Sequence, residues 1–237
     1  MDFIAGEYIY INKPYRMTSF GALAYVRTRI SRKCGVKRVK TGHAGTLDPL
    51  ATGVLILCTG KNTKEIERLQ LDTKEYTATL QLGATTASYD MEHEVNATFP
   101  TEHINRELID RVLTTFVGDI QQVPPSYSAV KIGGDRAYKL KRQGEQVELK
   151  AKTVRIDEIE VTDFDAEQML LSIRVQCGKG TYIRALARDI GRALQSGAYL
   201  TALCRTRVGD VRIEDSITLD DFPEWLSRQG IVRKVKE

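Results

Sequence analysis

The 237-residue chain has no apolar run near the ~20 residues a bilayer-spanning helix needs. Its N-terminus, MDFIAGEYIYINKP, has neither the basic n-region nor the apolar h-region of a signal peptide. A cytoplasmic protein with no membrane attachment is therefore expected. Only four cysteines are present, and Cys34, Cys58, Cys177 and Cys204 form no CxxC pair. They read as reduced thiols rather than as a disulfide framework or a zinc site. The three histidines, His43, His93 and His103, fall in no HExxH or similar spacing, so no metal is expected. Phosphate loops are missing too. Gly60-Lys61-Asn62 has no Ser or Thr after the lysine, and Leu55 stands where the upstream glycine should be; Gly178-Lys179-Gly180 fails as well. No GxGxxG follows a strand, so no dinucleotide site is supported. Internal repeats and low-complexity linkers are likewise absent.

What is present is an ordinary globular composition, 42% hydrophobic and 28% charged, with enough chain to bury a sizeable core. The net charge of +4 hides a strong segregation. From Arg27 to Lys40 there are seven basic residues and no acidic one; from Pro124 to Arg155 there are eight basic and three acidic. The rest of the chain is net acidic. Such runs are commonly solvated faces, but segregated positive charge is also the footprint of a polyanion-binding protein. Two runs, one directly before the motif described next, favour nucleic acid.

That motif is GHAGTLDPLATGVLILCTG, Gly42 to Gly60. Gly42 and Gly45 permit backbone paths and close approaches that other residues resist. Pro49 pushes Asp48 out of the α region. Val54 to Cys58 is apolar enough to be buried and to anchor the loop. A carboxylate on a rigid turn beside a buried element suits a nucleophile or a general base. The same residues also read as a plain Asp-Pro turn.

Strands and helices recur without regular βαβ spacing, which predicts an α+β fold with a mixed, largely antiparallel sheet. Thr18 and Ser19 can cap a helix whose apolar positions include Phe20, Leu23, Ala24 and Ile30. Lys74 to Gly83 alternates as a half-buried strand with Tyr76, Ala78, Leu80 and Leu82 on one face. Leu108 to Phe116 has helical spacing. A second strand runs from Met169 to Cys177, breaks at Gly178-Lys179-Gly180, and leads into a helix with Ile183, Leu186, Ala187 and Ile190 on its buried stripe. Residues 124–152 read as a protruding, mobile segment. After Ser216 one helix, Leu219 to Arg228, is expected.

On the Gly178 helix, Arg184 is turned about 100° from Ile183. At a helix start it gains nothing from the dipole, which points to an anionic partner. It reads either as a surface arginine or as a partner that holds Asp48 ionised. Tyr76 and Tyr182 offer stacking faces and hydroxyls, though core packing explains either one alone. His43 reads as a base, a stacking wedge or a structural histidine.

Taken together, several segments resemble the bacterial TruB-type tRNA pseudouridine synthases. They are Lys13-Pro14 with Met17-Thr18-Ser19, GHAGTLDPLATGVL, Lys74-Glu75-Tyr76, Pro125 to Lys131, and Gly178 to Arg184. The resemblance runs from about Gly6 to about Asp210. It implies a pseudouridine synthase fold and isomerisation of the uridine at position 55 in the T loop of tRNA, without cofactor or metal. It implies Asp48 as nucleophile, Arg184 as its salt-bridge partner and Tyr76 stacked on the target base. Tyr182 and Leu203 would line the pocket, and His43 would contact the RNA and help hold the flipped base. Residues 1–215 would form the catalytic domain, with 124–152 as a thumb-like insertion clamping the T stem-loop. Residues 216–237 would be a short tail, with no PUA domain and no obligate protein partner. Two departures stand out. Arg16 occupies a position where the family usually has glycine, and Thr86-Ala87-Ser88 followed by Asp90 lacks one expected acidic residue. The competing readings are a guide-dependent synthase, which needs a PUA domain, and a non-catalytic RNA-binding protein on the same scaffold.

Overall fold

The structure, a computed structural model, describes residues 1–127, 131–132, 135–136 and 149–231. In chain order it begins with β1 (Tyr8–Lys13), α1 (Ser19–Lys33), β2 (Thr41–Ala44), β3 (Thr52–Thr59) and α2 (Ile66–Leu69). Next come β4 (Lys74–Leu82), β5 (Ala84–Thr86), β6 (Val95–Thr98), α3 (Arg106–Thr114) and β7 (Gly118–Gln122). The short β8 (Lys131–Ile132) and β9 (Asp135–Arg136) precede β10 (Lys152–Asp165), β11 (Leu170–Cys177) and α4 (Ile183–Ala193). The chain then forms β12 (Ala198–Val208), β13 (Val211–Arg212), β14 (Ile217–Thr218) and α5 (Phe222–Arg228). No helix among the described residues is long and apolar enough to cross a membrane. The chain divides into two compact units, Met1–Glu75 with Cys204–Glu237, and Tyr76–Leu203.

In the first unit the strand order is β14-β1-β3-β12. β1 runs antiparallel to β3, with Ile11 opposite Leu55, and parallel to β14, with Ile11 beside Ile217. β3 meets β12 in parallel at Thr52–Cys204 and Gly53–Arg205. Only glycine fits at that crossing: Gly53 has φ +100°, and a Cβ there would lie 2.2 Å from the Arg205 carbonyl oxygen. The core joins Ile9, Ile11, Leu55 and Leu57 of the strands to Leu23, Val26 and Ile30 of α1. Leu219, Phe222 and Leu226 belong to the same core, so the segment after Ser216 contributes a strand and a helix to this unit.

Thr18 caps α1 as expected, its side chain accepting from the Gly21 amide. Phe20 departs from the expected buried stripe and is 63% exposed. Ser19, Ala22, Leu23, Val26 and Ile30 share one side of the helix. Phe20 sits about 100° round from the middle of that set at ~3.6 residues per turn.

The strand order in the second unit is β12-β4-β11-β10-β7. The alternation read in the sequence is realised: Ala78, Leu80 and Leu82 of β4 and Leu171, Ile173, Val175 and Cys177 of β11 are buried in one cluster. Ile109 and Leu113 of α3, with Ile183, Leu186, Ala187 and Ile190 of α4, complete it. Lys152 at the start of β10 faces Gln122 at the end of β7, so the segment between them leaves and re-enters the sheet at one place. The thumb-like insertion expected at 124–152 lies largely outside the described residues.

Candidate active site

Asp48 lies between β2 and β3, in a loop that side chains from three other elements grip through its backbone. Ser19 Oγ accepts from the Leu47 amide at 2.8 Å and donates to the Leu47 carbonyl at 3.0 Å. Lys13 Nζ donates to the carbonyl of Pro49 at 3.3 Å, and to those of Pro14 at 2.9 Å and Met17 at 2.6 Å. Arg205 donates from Nε to the Val54 carbonyl at 2.8 Å and from Nη2 to the Gly45 carbonyl at 3.0 Å. The Asp48 carbonyl itself accepts from the Ala51 amide at 3.1 Å, which closes the Asp-Pro turn read in the sequence. Gly45 has φ +86°, which glycine adopts without strain. Residues 45, 47 and 49 are thus each tied to a buried polar side chain, and the half-buried Asp48 carboxylate is carried on a backbone with little freedom.

Lys13 is 0% exposed and Arg205 2% exposed, so both cations are buried in this unit. Burial pushes the Lys13 ammonium down to about 8, against an opposing pull from the Asp48 carboxylate. His43 sits on β2 opposite Leu57. Its Nδ1 is buried without a hydrogen-bond partner among the described residues. Burial, and then the charge of Arg205, lowers its pKa below the ordinary 6.5, so the ring is neutral at pH 7.

In the second unit Arg184 is the organising cation. The surface reading fails: Arg184 is 4% exposed and Arg188 7%. Arg184 donates from Nη1 to the Ser88 carbonyl at 3.1 Å and from Nη2 to the Tyr127 carbonyl at 2.9 Å. Its Nε lies 3.6 Å from the Asp90 carboxylate. Asp90 is oriented in turn by Ser88 Oγ at 2.5 Å and the Glu92 amide at 2.9 Å. Arg188 lies 5.5 Å from the ring of Tyr89, a residue held at φ 59°, and donates to the Val123 carbonyl at 2.8 Å. Two arginines one turn apart on α4 therefore hold the 86–92 loop and the end of β7.

Tyr182 stands at the N-cap of α4 with no side-chain cap hydrogen bond, and its backbone is bound on both sides. Buried Gln122 supplies both contacts: its Oε1 accepts from the Tyr182 amide at 2.9 Å and its Nε2 donates to the Tyr182 carbonyl at 3.2 Å. Tyr76 and Leu203, half-buried, both pack against the core cluster that includes Ile183 of α4. The structure thus gathers Tyr76, Leu203 and the start of α4 around one core in the second unit, and His43 and Asp48 on one strand and loop in the first.

Sequence reasoning missed the supporting residues. Arg205 and Gln122 drew no attention, Lys13 counted only as part of a resemblance, Ser19 only as a helix cap and part of that resemblance, and Asp90 carried no role. Lys13 was the one with a usable signal, the lone charged residue in the strand YIYINK.

Residues 32–183 match a family model described as TruB family pseudouridylate synthase (N terminal domain), and residues 184–235 match the tRNA pseudouridylate synthase B C-terminal domain. The chain is 60% identical over 237 residues to the tRNA pseudouridine synthase B of Phocaeicola vulgatus, covering 100% of both chains. It is 61% identical over 233 residues to the protein of that name from Bacteroides thetaiotaomicron, covering 98% of this chain and 97% of that one. Among solved structures, a Cbf5-Nop10-Gar1 complex aligns with a TM-score of 0.68 at 30% identity, covering 94% of this chain and 55% of that chain. This chain therefore spans little more than half of that solved one. The expected α+β pseudouridine synthase fold is borne out. A match over most of its length, and relatives alike from end to end, place it plainly: the chain belongs to the TruB family of pseudouridylate synthases.

Proposed function

We propose that this protein isomerises uridine to pseudouridine in the T loop of tRNA, at position 55, on a base taken out of its stack, with Asp48 as nucleophile. The observation that carries the reading is the grip on the Asp48 loop: Ser19, Lys13 and Arg205 hold the backbone on both sides of one carboxylate. Such a carboxylate needs no rearrangement to meet a bound nucleotide. The full-length relatives named tRNA pseudouridine synthase B support tRNA as the substrate.

The reaction breaks the bond from uracil N1 to ribose C1′, turns the freed uracil within the site, and joins its C5 to C1′. The C5 proton is then lost and N1 gains one, so atoms balance without oxidant or reductant. Asp48 forms the transient bond, to the ring or to the ribose carbon. In this reading Arg184 serves as its salt-bridge partner. Tyr76 stacks on the target base and takes part in removing the C5 proton. Tyr182 and Leu203 line the pocket, and the neutral His43 helps hold the flipped base outside its stack. Positive charge segregated along the chain neutralises the phosphates of the T stem-loop. Four cysteines outside any disulfide fit a reducing cytoplasm as the place of action.

The test is to incubate the protein with an unmodified tRNA transcript and map pseudouridine. Wild type is expected to modify one T-loop uridine. Asp48→Ala is expected to bind the transcript within about twofold of wild type, since the phosphate contacts that dominate affinity are kept, and to give no product. RNA binding by wild type without modification would sink the enzyme reading; appreciable turnover by Asp48→Ala would remove Asp48 as nucleophile.

A further inference from the structure

Arg16 stands at φ +60°, in the left-handed region that a branched or long L side chain enters only under strain. It is held there. Lys13 Nζ binds the carbonyls of Pro14 and Met17, which bracket Tyr15 and Arg16. The same ammonium binds the carbonyl of Pro49, so this turn and the Asp48 loop share one anchor. An exposed residue kept in a strained conformation beside a candidate active site suggests a role for its side chain.

The Arg16 guanidinium lies 5.5 Å from the ring of Tyr15, which is itself 45% exposed. Four residues on, Phe20 is the most exposed aromatic described, with Arg27 stacked 5.7 Å from its ring. Neither arginine has a carboxylate partner among the described residues. Chain reach keeps the Cα atoms of Arg16 and Phe20 within about 14 Å of each other, about the span of a few nucleotides. Between Glu7 and Asp48 the sequence has no acidic residue and nine basic ones. An anionic partner is therefore favoured over an acidic-residue-bearing, mixed protein surface or an apolar one.

We propose that Tyr15, Arg16, Phe20 and Arg27 form an RNA-contact surface beside the Asp48 loop. The arginines take backbone phosphates, and the exposed aromatic faces take unstacked bases of the substrate's loop. The proposal rests on the tRNA reading above and adds to it a specific docking surface. Its chemistry is that of single-stranded RNA recognition, in which guanidinium groups pair with phosphate while rings stack with bases of any identity. Stacking on Tyr15 and Phe20 also pre-orders the arginine side chains, so less freedom is lost on binding.

The test measures the affinity of the full-length chain for unmodified tRNA transcript over a range of salt concentrations, with thermal unfolding as a check on folding. Arg16→Gly suits the left-handed backbone, so its melting temperature is expected to match or exceed that of wild type. Its affinity is expected to fall, and the slope of log affinity against log salt to shrink by about 0.7–0.9 for the lost phosphate contact. Phe20→Ala, at an exposed position, is expected to fold normally and to weaken binding about fivefold or more through lost base stacking. Loss of affinity in either folded variant supports the surface. Both variants binding within about twofold of wild type with unchanged salt slopes would overturn it, provided wild type modifies tRNA. Failure of wild type to modify tRNA would overturn the functional reading instead.

Discussion

Lys13 Nζ donates to the carbonyl oxygen of Pro49, the residue after Asp48, at 3.3 Å. One fully buried ammonium thus serves three carbonyls and lies close enough to Asp48 to feel its charge. An ammonium has three N–H donors; the neutral amine has two.

The grip on the Asp48 loop should therefore slacken when Lys13 loses its proton, at a pKa lowered by burial from 10.5 to about 8. The single-turnover rate is expected to fall as pH rises through about 8. Unfolding does not account for such a fall, and the sign is definite. Between about 8 and 10.5 the unfolded chain holds more protons at this group than the folded one, so its contribution to folding stability rises with pH. A pH–rate profile with circular dichroism at each point checks this. If the alkaline limb persists unchanged in Lys13→Met, it belongs to another group.

Arg205 bridges the Gly45 and Val54 carbonyls across the Asp48 segment. Arg205→Lys keeps the charge but cannot span both oxygens. Leaving one buried carbonyl unpaired costs about 1–3 kcal/mol. A shift of about 1 Å in the loop lowers the chemical step about 100-fold. Urea unfolding and single-turnover kinetics read the two effects separately. A rate loss no larger than the loss of folded protein would make Arg205 purely structural.

Arg184 and Asp90 are each less than a tenth exposed, so solvent screens their 3.6 Å pair weakly. Arg184→Met is expected to lose about 3–5 kcal/mol of stability, as when one member of a buried ion pair is removed. The more conservative Arg184→Lys should stay folded and lose far more catalysis than RNA affinity. Equal losses in both would mark Arg184 as an RNA contact.

Gln122 holds Tyr182 by both its amide and its carbonyl. Gln122→Ala should destabilise the second unit by about 2 kcal/mol, the cost of unpaired buried groups. It should also raise KM for RNA if Tyr182 lines the pocket. An unchanged KM in a folded variant would separate Tyr182 from the substrate.

Much of the frame was legible because it is local. The alternation from Tyr76 to Leu82 and from Leu171 to Cys177, the stripe on α4 and the Thr18 cap follow from neighbours a few residues apart. Period and propensity act at that range. Phe20 shows where such reading errs, because hydrophobicity alone does not say on which side of a helix a residue falls.

The sequence alone determined that an Asp-Pro turn lies between glycines and an apolar strand, that positive charge is segregated, and that the fold is α+β. The tertiary structure decided what makes the turn rigid. Ser19 reaches Leu47 over 28 positions, Lys13 reaches Pro49 over 36, and Arg205 reaches Gly45 over 160. It also decided that Arg184 and Arg188 are buried and that Asp90 stands beside the first of them. A buried cation must find carbonyls or a carboxylate. Which ones it finds depends on strand pairing and helix packing between distant parts of the chain, which no local pattern encodes.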